Sequence, residues 1–234
     1  DYVRSLVNES TAMIIINTPH NPCGSVLTPG DLVELASICE GTDIVILSDE
    51  VYELITYDGG KHNTLLAHEE LRKRSFVVTS FGKTFHITGW KVGACVAPPA
   101  FTREFRKAHQ FISFCVNTPA QVAIAEYMKD ADNYSGLGQF FQRKRDLFRG
   151  LLEGSRWKIR PCSGSYFQLL GYENISDEQD VALARRLTKE VGVASIPLSP
   201  FVSTPAQTQD RVLRFCFAKQ DDTLNRAAEL LRAV

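Results

Sequence analysis

The sequence predicts an α/β protein, with a parallel or mixed sheet buried under helices and a smaller α/β domain after it. Three observations carry this. The short apolar runs "AMIIIN", "DIVILS", "SFVVTS" and "KVGACVAP" are continuous rather than alternating, as strands covered on both faces require. Helix-type stretches with recognisable start and stop residues accompany them. Near Tyr134–Gly138 the character of the chain changes, so residues 1–134 and 135–234 read as two domains joined by a long helix.

Ala12–Asn17 is the first strand and runs into "TPHNPCG", a loop of turn-forming residues. A helix follows, with Thr28 as its cap, Pro29 in its first turn and Gly41 at its end. Asp43–Ser48 is the second strand and leads into "DEVY"; Ser75–Ser80 is the third and Lys91–Pro98 the fourth. "TREFRKAHQFISFCV" predicts a helix over Thr102–Val116, and "NTPAQVAIAEYMKD" a second one beginning at Thr118 and Pro119. Leu137–Gly154 is a long amphipathic helix stopped by glycine. Trp157–Tyr172 reads as two strands around the "CSGS" bend, Asp177–Gly192 as a charged amphipathic helix and Val212–Ala218 as a strand. Asp221 or Asp222 caps the closing helix. The sequence contains no internal repeat and no low-complexity tract.

Composition narrows the function classes. With 44% hydrophobic and 23% charged residues, the chain is ordinary for a soluble globular protein with a sizeable core. A net charge of −1 argues against nucleic acid and anionic membranes as partners. No apolar run reaches the length of a membrane span, and "DYVRSLVNES" lacks the pattern of a signal peptide. The six cysteines show neither metal-site nor disulfide spacing. Reduced thiols, a cytoplasmic location and no bound metal are therefore expected.

In open parallel sheets, ligands sit beyond the carboxyl ends of the strands. Here the first strand delivers Asn17 and then Asn21, the second Asp49 and Tyr52, the third Ser80 and Lys83. A carboxylate, a phenol, an amide and an amine are thus expected at one crevice. Lys83 alone would read as a surface lysine whose stem lies along apolar groups. Beside the other strand ends it reads as a nucleophilic amine, because a dry pocket disfavours its charged form. Glu50 reads as a charge at the start of a helix. His86 and His109 are expected to be packed or hydrogen-bonded wall residues, Cys23 an inert thiol and Trp90 a packing residue.

The runs "NTPHNPCG", "SDEVYE", "SFGKTFHITGWKVG" and "RFCFAK" together resemble fold type I pyridoxal-phosphate aminotransferases (class I/II) over essentially the whole chain. They are most similar to the methionine, aromatic and kynurenine aminotransferase branch. The resemblance implies that residues 1–134 are the C-terminal part of a large cofactor-binding domain with a mixed, mostly parallel sheet. Residues 135–234 would be the small C-terminal domain. It implies that Lys83 binds pyridoxal 5'-phosphate as an imine and then shuttles the substrate α-proton. Asp49 would face the pyridine nitrogen, Tyr52 and Asn21 the ring 3-oxygen, and Ser80 and Lys91 the phosphate. Lys91 stands where many relatives have arginine, so it offers a point charge rather than a fork. Arg214 would clamp the substrate carboxylate, with Asn21 beside it.

The implied activity is transamination between a neutral, aromatic or sulfur-containing amino acid and a 2-oxo acid, in a homodimer. A carbon–sulfur β-lyase and the cofactor-sensing domain of a transcription regulator are the alternatives on this scaffold. In the family a substantial segment precedes the "NTPHNP" loop, so the sequence reads as N-terminally truncated. The isolated 234-residue chain is expected to bind cofactor poorly and to turn over little.

Overall fold

The structure is a computed structural model that describes residues 2–202 and 211–234. The chain forms two compact units.

One unit contains the chain up to Pro19 together with Val26–Thr56 and Gly60–Leu137. Its helices are α1 (Tyr2–Leu6), α2 (Pro29–Cys39), α3 (Glu69–Arg72), α4 (Phe81–Thr84), α5 (Pro99–Ile112) and α6 (Thr118–Tyr127). Its strands β1 (Met13–Asn17), β2 (Val45–Asp49), β3 (Ser75–Ser80) and β4 (Gly93–Val96) form one sheet in that order. β1, β2 and β3 run parallel, with Asn17 opposite Asp49 and Asp49 opposite Val78. β4 returns antiparallel, placing Gly93 opposite Ser80. Asn17, Asp49 and Ser80 therefore end three neighbouring strands.

α2 forms where the sequence places it. Thr28 accepts from the Asp31 N–H while the Asp31 carboxylate takes the Thr28 N–H, a reciprocal cap worth about 1 kcal/mol. Its buried residues Leu32, Leu35, Ile38 and Cys39 recur at helical spacing, and most pack with Ile44, Ile46, Leu65, Leu71 and Val77. A second cluster of Val92, Ala120 and Ile124 holds Phe81 and Phe85.

The other unit contains His20–Ser25, Tyr57–Gly59 and Gly138–Val234. It is built from α7 (Leu137–Leu152), β5 (Lys158–Ile159), β6 (Phe167–Gly171), α8 (Asp180–Arg186), β7 (Ile196–Pro197), β8 (Val212–Cys216) and α9 (Asp221–Arg232). The strands pair antiparallel in the order β5-β6-β8-β7. α7 buries Phe141, Arg145, Phe148 and Leu152 along one stripe.

The two short segments are tied into this unit by specific bonds. Ser163 and Gly164 N–H groups donate to the Gly24 carbonyl at 2.8 and 2.9 Å. Arg145 donates two 2.7 Å bonds to Asp58 and one of 2.8 Å to the Cys162 carbonyl, and its guanidinium lies 4.6 Å from the Tyr57 ring centroid. A buried guanidinium is tolerable because its donors are used.

Several local expectations are corrected. α5 ends at Ile112 rather than Val116, because Phe114 takes a left-handed conformation (φ 61°) that a helix cannot continue through. α9 is not capped by an aspartate: Gln220 holds the cap position, and Asp221 in the first turn pairs with Lys144 instead. β4 starts at Gly93 rather than Lys91, since Lys91 is left-handed (φ 56°) after a 3₁₀ turn over Thr88–Trp90. The short elements α1, α3, α4 and β7 are additional, and the helix expected over Asp177–Gly192 begins as α8 at Asp180 and finishes as a π turn over Leu187–Val191.

Candidate active site

Lys83 sits on α4, the single turn that follows β3. The residues around it explain why that turn is fixed. Phe81 and Phe85 stack with centroids 6.4 Å apart, and Phe85 meets Tyr127 and Tyr134 edge-on. Gly82 lets the turn fold tightly back: a Cβ there would lie 3.0 Å from the Thr88 Cα. The Lys83 Nζ lies 6.0 Å from the centroid of the Tyr52 ring, which is buried. An amine and a phenol thus share one locality in the first unit.

Asp49 ends β2 and is half-buried. Its backbone carbonyl accepts from Thr18 N–H at 3.0 Å and Asn17 Nδ2 at 2.9 Å, and its Oδ1 accepts from Val51 N–H at 3.2 Å. Ser80 ends β3 at the cap of α4, where its hydroxyl makes no capping bond. Lys91 lies past the 3₁₀ turn and is exposed.

In the second unit, Arg214 on β8 donates from Nη1 to Asn21 Oδ1 at 2.6 Å. Its guanidinium lies 4.2 Å from the Phe167 centroid and 5.7 Å from that of Phe201. The sequence reading singled out Asn21 and Arg214 but missed the two rings. Arg214 faces Leu169 across the β6–β8 pair, so Phe167, two residues away, is its diagonal neighbour on the same face. That signal exists only once the strand register is known.

Other expectations fare differently. Glu50 is no helix-start charge: it is 0% exposed and bonded to His62 Nε2 at 2.7 Å. Burial opposes its ionisation, but bonds from His62, Thr64 and the Leu65 N–H outweigh this and hold its carboxyl below the usual range. Trp90 is 48% exposed rather than packed inside. His109 stacks on Phe105, and His86, though exposed with a left-handed backbone, also has an interaction partner. Burial raises the Cys23 thiol pKa, which disfavours the thiolate. Among the described residues, no cluster of three or more His, Cys, Asp or Glu could hold a metal ion, and no helix is long and apolar enough to cross a membrane.

Residues 2–231 match the family Aminotransferase class I and II. The chain belongs to the class I and II aminotransferases. Methionine aminotransferase of Escherichia coli (strain K12) is 45% identical over 229 residues, covering 97% of this chain and 59% of that protein. Kynurenine–oxoglutarate transaminase 3 of Bos taurus is 32% identical over 248 residues, covering 98% and 54%. Among solved structures, a methionine aminotransferase from Escherichia coli superposes with a TM-score of 0.96 at 44% identity, covering 100% of this chain and 61% of that one. N-succinyldiaminopimelate aminotransferase from Mycobacterium tuberculosis gives 0.92 at 31%, covering 99% and 60%. The chain therefore has the aminotransferase α/β fold and spans less than two thirds of the length of each of these relatives.

Class I and II aminotransferases depend on pyridoxal phosphate, and the donor set suits that group chemically. An amine and a phenol adjoin on the first unit, with a carboxylate and a hydroxyl at the ends of neighbouring strands.

Proposed function

We propose that this chain carries cofactor and substrate residues of a pyridoxal-phosphate-dependent aminotransferase acting on a large neutral amino acid and a 2-oxo acid. The observation that carries the reading is the Lys83 amine, held on a one-turn helix beside the buried Tyr52 ring and beyond the strand end next to Asp49. Bound pyridoxal phosphate supplies an electron sink for the carbanion left when the substrate α-proton departs.

The residues of this chain do the rest. Lys83 is the nucleophile that holds the cofactor, and its free amine takes and returns the α-proton. Asp49 holds a proton on the pyridine nitrogen. Tyr52 and Asn21 would hydrogen-bond the ring 3-oxygen, and Ser80 and Lys91 would bind the phosphate. Arg214 grips the substrate carboxylate with the donors that Asn21 leaves available. The first unit belongs to the large cofactor-binding domain and the second to the small domain, in a cytoplasmic homodimer. The six free cysteines suit a reducing compartment.

The preferred donor follows from "HQFISFCVNTP" (His109–Pro119), which contains no arginine to pair with a distal carboxylate. Phe111, Ile112 and Phe114 are exposed and apolar there. Each substrate methylene they cover stabilises binding by roughly 0.8 kcal/mol. The relatives named for methionine and kynurenine support the same class. The test is a donor screen of the full protein with a 2-oxo acid acceptor. Methionine or phenylalanine should be used well, and Lys83→Ala should be inactive. A wide preference for aspartate would overturn the substrate reading, and an active Lys83→Ala the assignment of the lysine.

A further inference from the structure

We propose that Glu50 and His62 form a positioning pair that fixes the turn after β2 and so orients the Asp49 carboxylate and Tyr52. This rests on the reading of those two residues as cofactor ligands.

The alternation of β2 sets the geometry. Ile46, Ser48 and Glu50 are fully buried on one face, while Val45, Leu47 and Asp49 are half-buried on the other. Glu50 thus points away from the Asp49 side chain, among aliphatic residues such as Ile46 and Leu65. An unpaired carboxylate there would be costly. Instead, both oxygens are engaged. Oε1 accepts from the Ser48 hydroxyl at 2.9 Å and the Leu65 N–H at 3.1 Å, and Oε2 meets His62 Nε2 at 2.7 Å. The His62 side chain is 10% exposed.

These bonds tie the start of an irregular excursion to its end. The chain leaves β2 after Asp49 and returns at residues 62–65, where Glu50 holds it. The Glu50 backbone is fixed as well: its N–H donates to Val78 O at 2.8 Å, and its carbonyl accepts from Glu53 N–H at 3.0 Å. Asp49 and Tyr52 flank this anchored residue. An apolar pair could fill the same space, but its contacts have no direction. Donors on both carboxylate oxygens select a single turn geometry. Glu50 faces away from the Asp49 carboxylate, so it acts through Asp49 and Tyr52.

The experiment titrates the full protein with pyridoxal phosphate and follows the absorbance of the bound cofactor. Asp49→Asn calibrates the readout, with weakened binding and a displaced band. Glu50→Gln and His62→Gln should each weaken binding about tenfold and displace the band in the same direction as Asp49→Asn. In the Asp49→Asn background, Glu50→Gln should cost clearly less than it does alone, because only its effect through Tyr52 remains. If Glu50→Gln does not fold, His62→Gln makes the same comparison, since it leaves Glu50 with its other donors. Unchanged affinity and band in the folded variants would overturn the inference. So would a loss of equal size with and without Asp49, the mark of a merely structural pair. Failure of the unaltered protein to bind saturably would overturn the cofactor reading itself, and this inference with it.

Discussion

Replacing Gly93 by alanine tests whether the end of the sheet that carries Ser80 is as tightly built as described. Gly93 faces Ser80 across the antiparallel β3–β4 pair, and a Cβ on it would lie 2.5 Å from the Thr79 carbonyl oxygen. Real Cβ contacts essentially never fall under 3.0 Å, so one strand must retreat by at least 0.5 Å. Nothing there can give cheaply, because the clash is with backbone rather than a flexible side chain. Overpacking of this kind costs about 1–3 kcal/mol. In urea, with a slope of about 1–3 kcal/mol per molar, the midpoint should fall by roughly 1 M at unchanged slope. Gly89→Ala is the control, since its Cβ would meet nothing within 4 Å and its backbone is not left-handed. That change should stay within about 0.5 kcal/mol. Equal midpoints for Gly93→Ala and the unaltered protein would refute the packing described for β3 and β4.

Two further outcomes follow from the electrostatics. Glu50 and Asp58 have carboxyl pKa values lowered in the fold, Glu50 by bonds from His62, Thr64 and Leu65 that outweigh its burial, and Asp58 chiefly by its bonds from Arg145. Their contribution is therefore fully present above the ordinary values of 4.5 and 3.8 and is lost as pH falls below them. Urea midpoints measured from pH 7 to pH 3 should drop on the acid side, and Asp58→Asn should flatten that drop; an identical profile would contradict the Arg145–Asp58 clasp. The thiols should separate by burial, since burial pushes Cys162 up to about 11 while Cys115 is exposed. Mass-spectrometric mapping after brief iodoacetamide treatment at pH 7.5 should find Cys115 alkylated and Cys162 untouched until denaturant is added. Early labelling of Cys162 would contradict its placement.

Much of the fold was legible because its signals are local. Continuous apolar runs marked β1, β2 and β3, and Thr28 and Pro29 marked the start of α2. Motif order was informative enough to point to Lys83, Tyr52, Asn21 and Arg214, and the structure brings Lys83 near Tyr52 and Asn21 onto Arg214. The unread features depend on partners far along the chain. The Glu50–His62 bond spans twelve positions of mostly irregular chain, so adjacency to Asp49 suggested a charge at a helix start. Lys144 lies 77 positions from Asp221, so their ion pair has no local signal, and the extended backbone of Gln220 puts the cap one residue before Asp221. Phe114 ends α5 by a left-handed turn that an aromatic residue does not announce. Phe167 beside Arg214 required the register of β6 on β8.

The central claim is that the Lys83 amine is the group that bonds the cofactor covalently. Its most direct test is to mix the full protein with pyridoxal phosphate, reduce with borohydride, digest, and locate the fixed pyridoxyl group by mass spectrometry. The account predicts stoichiometric modification of the peptide containing Lys83, and no fixed group at any site in Lys83→Ala. A pyridoxyl group fixed stoichiometrically on another lysine, or retained in Lys83→Ala, would contradict it.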